Sequence, residues 1–181
     1  MLNKIIKYAV IFIFICFFSN EIYSSQKIDE FEYVKTPPNH PTEIKFGLYL
    51  ISIEDVSLSD HINPTYELQF FMDIIWIDPR ESFNKTLHGR DQLFYDNHLY
   101  LDKRKKMWWP DIIIQNEEKK RKREYSEMMI NYDGTIEYHE RFTVTLHGDL
   151  NLTQFPFDKQ DFFVEIESFS WDINSLIFKK Y

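Results

Sequence analysis

The chain has 181 residues, a formal net charge of −8, six histidines and a single cysteine. An acidic surface argues against nucleic-acid partners, because phosphate contact needs clustered basic side chains, and one cysteine cannot close an internal disulfide. Aromatic residues make up 18% of the chain against only four glycines, so a core of large rings is expected.

Lys4 and Lys7 precede an apolar stretch from Tyr8 to Phe18, with small residues Ser24 and Ser25 after it. This predicts a secretory signal peptide over residues 1–25. The alternative is an uncleaved membrane anchor, but at ~1.5 Å per residue the stretch covers roughly half of a bilayer's ~30 Å core. Cys16 lies within it, so the exported chain keeps no cysteine and must be stabilised by packing. The leader carries two lysines and one glutamate, and its removal makes the remainder one unit more acidic. Residues 26–42 carry Pro37, Pro38 and Pro41 with little apolar periodicity, which predicts an extended lead-in. The folded part is expected over residues 43–181.

From there the period is two. Tyr66, Leu68, Phe70, Met72, Ile74 and Trp76 share one face of a strand, with Glu67, Gln69, Phe71 and Asp73 on the other. Trp108-Trp109-Pro110-Asp111 follows, and then the basic run Lys119–Arg123, which reads as a solvated loop because Glu117, Glu118 and Glu124 flank it. Asp133-Gly134 predicts a hairpin turn, since glycine tolerates positive φ. After it Ile136, Tyr138, Phe142, Val144 and Leu146 alternate with Thr135, Glu137, His139, Arg141 and Thr143. Phe155-Pro156-Phe157-Asp158 cannot continue a central strand, because proline donates no ladder hydrogen bond; it predicts a hairpin tip. A last stretch turns Phe162, Val164 and Ile166 inward and Phe163, Glu165, Glu167 and Phe169 outward. Many strands and no convincing amphipathic helix predict an all-β fold, an antiparallel β-sandwich with an immunoglobulin-like two-layer arrangement.

Five motifs stand in one order and spacing: Trp76-Ile77-Asp78, Trp108-Trp109-Pro110-Asp111, Asp133-Gly134-Thr135, Phe155-Pro156-Phe157-Asp158 and Ser168-Phe169-Ser170-Trp171. Over about residues 43–181 the chain resembles the extracellular ligand-binding domain of pentameric ligand-gated ion channels, the Cys-loop receptor superfamily. The animal receptors close the hairpin tip with two cysteines. Counting from the proline tip, those positions are Gly148 and Phe162, so the chain resembles the cysteine-free bacterial branch. Such a disulfide is worth on the order of 3 kcal/mol, and burial of Phe162 is expected to stand in for it. The resemblance implies an exported domain, periplasmic or on the outer face of the cytoplasmic membrane.

The resemblance also implies site residues. The family's ligand sits between adjacent subunits in an aromatic box, whose positions here are Phe169, Trp171, Phe71 and Gln115. A ring face can hold an ammonium at about 0.5 to 2 kcal/mol, so a small, cationic amine ligand is implied. For each residue a plainer reading stands beside this one: Phe71 as an interface or sheet-packing residue, Gln115 as a strand-end polar residue, Phe169 and Trp171 as packing of the sandwich edge. Pro156, Phe157 and Asp158 are implied as the tip that couples binding to a pore. Trp76, Asp78, Trp108, Pro110 and Asp111 read as structural, as large rings for the core and carboxylates for turn amides.

A complete family member carries two further strands and four membrane helices. The expectation is therefore a truncated channel subunit without a pore, missing the last strands of its sandwich, with a pentameric homo-oligomer in the intact family. Contact with a membrane would come only through a missing pore domain or an uncleaved leader. The alternative is a free-standing periplasmic small-molecule or sugar-binding β-sandwich. His40, His61, His88, His98, His139 and His147 are scattered without ligand spacing, and no serine sits in a nucleophile elbow. Neither an enzyme nor a cofactor or metal is expected.

Overall fold

The computed structural model describes residues 35–57, 64–148 and 161–181. Their strands are β1 (Thr42–Ser57), β2 (Thr65–Ile77), β3 (Gln92–Asp96), β4 (Ile112–Ile114), β5 (Glu117–Asn131), β6 (Thr135–His147), β7 (Ile166–Ser168) and β8 (Leu176–Lys180). A 3-10 turn at Pro79–Glu81 and two helices, α1 (Lys85–His88) and α2 (Asn97–Arg104), connect β2, β3 and β4. The first sheet has the order β3-β5-β6-β2-β1-β8 and the second pairs β4 with β7. Every pairing is antiparallel except β1 with β8. The fold is an all-β sandwich.

The alternation in β2 and β6 sets the core. Tyr66, Leu68, Phe70, Met72, Ile74 and Trp76 are buried, as are Ile136, Tyr138, Phe142, Val144 and Leu146. Among the described residues the second layer is small, and aromatic rings pack between it and the first sheet. Trp76 meets Trp108 at 6.3 Å and Trp109 at 5.3 Å, Trp109 meets Tyr138 at 5.0 Å, and Trp108 meets Trp171 at 5.5 Å. Edge-to-face and tilted geometry suits the ring quadrupole. Phe162, Val164 and Ile166 pack half-buried against this core. Strand structure there is limited to Ile166–Ser168, because its partner β4 is confined between Pro110 and the Gln115-Asn116 turn.

Two turn motifs abut at one end of the sheet. The buried Asp78 donates its backbone N–H to the Gly134 carbonyl at 2.9 Å. Its carboxylate caps the 3-10 turn through Arg80 N at 3.0 Å and takes a forked pair of 2.8 Å bonds from the Arg80 side chain. Gly134 has φ +87, and a Cβ there would lie 2.5 Å from the Asp78 carbonyl oxygen. Glycine is therefore required on two counts, dihedral and space.

The basic run is not a loop. Lys119–Arg123 lies inside β5, paired with β6 through an irregular register. A bulge between Arg123 and Tyr125 changes the parity of the strand: Ser126, Met128 and Ile130 point inward on one side of it, Arg121 and Arg123 on the other. The two arginines meet Glu140, fully buried on the inward face of β6. Arg123 Nε lies 2.9 Å and Arg121 Nε 3.3 Å from its carboxylate, and the Tyr138 hydroxyl donates to it at 3.0 Å. Burial, and then the Glu140 charge, push the Tyr138 hydroxyl far above its usual range. The helix α2 also departs from the sequence reading. Tyr100 is its one buried residue, and a single inward side chain leaves no periodic stripe to detect.

Removing one partner of a buried ion pair leaves the other unpaired. Glu140→Ala should lower unfolding free energy by about 3 kcal/mol, measured by urea denaturation. A change under about 1 kcal/mol, the level of an exposed pair, would show that solvent already screens the two guanidiniums.

Candidate functional site

Two motifs 58 residues apart in sequence clamp together and present Phe169. Ser168 Oγ donates to the Pro110 carbonyl at 2.6 Å, the Phe169 N–H to the Asp111 carbonyl at 3.0 Å, Ser170 Oγ to the Asp111 carboxylate at 2.5 Å, and the Trp171 indole N–H to the Trp109 carbonyl at 2.8 Å. Asp111 has φ +52, a conformation aspartate tolerates better than most residues, and Arg104 lies 3.3 Å from its carboxylate. The backbone of Phe169 is thereby held while its side chain is 75% exposed. Trp171 is differently placed: its ring packs on Trp108 and its N–H is engaged. Trp108 and Pro110 are buried.

Gln115 is exposed in the two-residue turn between β4 and β5, and its N–H donates to the Glu165 carbonyl at 2.7 Å. It is at the opposite end of the β4–β7 ladder from Phe169, four residues along the chain from Asp111, or roughly 13 Å at strand rise. Within one chain the two side chains do not meet.

Phe71 lies on the outer face of the six-stranded sheet, half-buried, paired across the ladders with Tyr49 and Arg141. Its ring is stacked at 11° and 6.0 Å on the His139 imidazole, with Tyr49 6.4 Å away on the other flank. His139 Nδ1 is 2.5 Å from Asp73 Oδ1. Arg141 donates to Gln69 at 2.9 Å and lies 3.5 Å from Glu124. His139 and Arg141 thus find partners on neighbouring strands, and Glu137, their strand neighbour, instead accepts from Asn131 at 2.8 Å. Phe71 faces away from the core on the first layer and Phe169 away from it on the second, so the two rings belong to opposite sides of the sandwich.

The tip residues Pro156, Phe157 and Asp158 lie outside the described residues, but Gly148 and Phe162, the neck positions that flank that segment in sequence, are described. A Cβ on Gly148 would fall 2.2 Å from the Tyr66 ring, and the Phe162 ring meets that ring edge-on at 4.7 Å. The Tyr66 hydroxyl donates to the Phe163 carbonyl at 2.8 Å and accepts from the Phe163 N–H at 3.2 Å; burial pushes its pKa up. Asn116 adds bonds to the Phe163 carbonyl at 2.9 Å and from the Glu165 N–H at 3.1 Å. One tyrosine ring therefore occupies the space between the two neck positions. Neither Tyr66 nor Asn116 carried a sequence signal, since one reads as strand core and the other as a turn asparagine.

The comparisons decide the family. Residues 24–180 match the model of the neurotransmitter-gated ion-channel ligand binding domain. The chain belongs to this family. It is 27% identical over 147 residues to a proton-gated ion channel of Gloeobacter violaceus, covering 80% of this chain and 38% of that protein. It is 28% identical over 153 residues to the gamma-aminobutyric acid receptor subunit theta of Mus musculus (80% of this chain, 22% of the relative). To the glycine receptor subunit beta of Rattus norvegicus it is 30% identical over 142 residues (76% and 27%). The chain thus spans between about a fifth and two fifths of the relatives' lengths. Ligand-binding domains of this family are extracellular parts of pentameric channels that bind small molecules, and the relatives are channel and receptor subunits, not enzymes. Among the described residues no group of three or more His, Cys, Asp or Glu could hold a metal ion, and no helix is long and apolar enough to cross a membrane.

Two outcomes follow from this geometry. Gly148→Ala forces a methyl into a ring already fixed by two hydrogen bonds and Phe162, and should destabilise the domain by about 1–3 kcal/mol; an unchanged denaturation midpoint would mean that Tyr66 can swing away. The Glu124 carboxyl is held below its ordinary value of 4.5 by hydrogen bonds, first from Thr143 and then from Gln69, with Arg141 adding its charge. A depressed folded pKa contributes stability above the unfolded value that is lost as pH falls through the folded one. Glu124→Gln should therefore flatten the loss of stability below pH 4.5, and thermal melts with the same acid slope as the parent would contradict it.

Proposed function

We propose that this domain is the ligand sensor of a pentameric ligand-gated channel subunit, exported to the periplasm or the outer face of the cytoplasmic membrane, and that it recognises a small amine between adjacent copies. Phe169 carries the reading: a large ring, three-quarters exposed, on backbone that four hydrogen bonds hold in place. Core packing does not account for an aromatic side chain rigidly mounted and turned to solvent, whereas cation recognition needs an accessible ring face.

Phe71 and Phe169 on opposite layers support a site completed by a second copy, one subunit giving the Phe169 side and its neighbour the Phe71 side. Trp171 then serves to fix Phe169, and Gln115 borders the site as a polar turn residue. Arg141 directly opposite Phe71 disfavours a bare cation there and suits a ligand with an anionic end. Two relatives are named for amino acids, so a small amino acid is the specific form of the amine reading. The tip residues Pro156, Phe157 and Asp158 would pass the binding event to a pore.

Calorimetric titration of the assembled protein with glycine and γ-aminobutyrate tests this. Phe169→Ala should weaken binding about tenfold, the scale of one desolvated cation–π contact, with unchanged thermal stability. Equal affinity in parent and variant would remove Phe169 from the site.

A further inference from the structure

A cavity of about 520 Å³ opens on the outer face of the six-stranded sheet, at its β1–β8 side. Ile75 and Ile77 of β2 form its apolar floor, Pro41 of the lead-in borders one end, and Glu43, Lys45 and Lys179 line the rim. Its volume falls within the range of about 300–1,000 Å³ typical of small-molecule sites. Phe71 is four residues from Ile75 along β2, roughly 13 Å, and neither Phe71 nor Phe169 lines the cavity.

Its charges are unusual for a chain of net charge −8. Lys45 and Lys179 stand directly opposite one another in the parallel β1–β8 ladder, and like charges so placed destabilise a sheet. Glu43 lies 3.6 Å from Lys179, but Lys45 has no ion-pair partner among the described residues. Two ammonium groups thus face one carboxylate beside an apolar floor, with Ile77 54% exposed.

We propose that this cavity binds an amphiphilic monocarboxylate, its head between Lys45 and Lys179 and its hydrocarbon body over Ile75 and Ile77. The head would relieve the repulsion between the two lysines through charge-assisted hydrogen bonds, and the body would withdraw the isoleucines from water. A cationic amphiphile meets the same lysines with the wrong sign. Inorganic phosphate would leave oxygens unpaired against the apolar floor.

Octanoate is the probe, titrated calorimetrically at low salt into the intact chain, with octanol and octylamine as comparisons. Octanoate should bind saturably and at least about tenfold more tightly than either. Lys45→Gln should weaken octanoate roughly fivefold or more, while the unliganded variant melts no lower than the parent because a like-charge neighbour has gone. That melt separates lost binding from lost folding. Phe169→Ala should bind octanoate like the parent, which keeps this site independent of the amine reading. Octanol matching octanoate, affinity unchanged in Lys45→Gln, or no saturable binding would each overturn the proposal.

Discussion

The inner face of a six-stranded sheet has to be covered by a second layer that, among the described residues, contains only two three-residue strands. Backbone pairing cannot supply that cover, so side chains do. Trp76, Trp108, Trp109, Trp171, Tyr100 and Tyr138 form a continuous set of ring contacts between the layers. Large rings bury much apolar area per residue ordered, which suits a chain with no cysteine beyond residue 16. Among the described residues the buried indole N–H groups of Trp76 and Trp108 meet no protein acceptor; a buried N–H left unpaired costs about 1–3 kcal/mol on mutational scales.

What the rings hold in place is the surface proposed to bind ligand. Trp109 and Trp171 anchor the clamp that carries Phe169, so one motif divides its aromatic residues between an inward anchor and an outward presenter. At the other end of the second layer, Tyr66 ties the Gly148 and Phe162 positions without a covalent bond. A hydrogen-bonded ring constrains the neck only while the domain is folded. A disulfide would also constrain the unfolded chain. Order at the neck is therefore coupled to the packing of β2 itself.

Charge is distributed by the same geometry. Among the described residues the carboxylate on the inner face of the sheet is Glu140, satisfied by two guanidiniums and a phenol. The outer face holds linked pairs, Asp73 with His139 and Arg141 with Glu124 and Gln69, around Phe71. These partners come from adjacent strands, so the surface around Phe71 is a property of sheet register more than of any one segment.

Strict alternation made the buried faces of β2 and β6 legible in the sequence alone, because a period of two admits only one inward set. The aromatic, proline and aspartate motifs likewise specified the family, and with it which positions to inspect. Alternation failed at β5, where the bulge at Glu124 reverses which residues point inward and brings Arg121 and Arg123, from a basic run that is otherwise exposed, to Glu140. It was silent on Glu140, a charged residue at an apolar parity whose burial depends on arginines about 20 residues away. That Trp171 packs on the core although it shares the outward parity of Phe169, that Tyr66 fills the space between Gly148 and Phe162, and that Phe71 and Phe169 end on opposite sides of the sandwich were decided only by tertiary structure. Each depends on contacts between segments far apart in the chain, and local pattern carries no information about what a side chain will meet across the core.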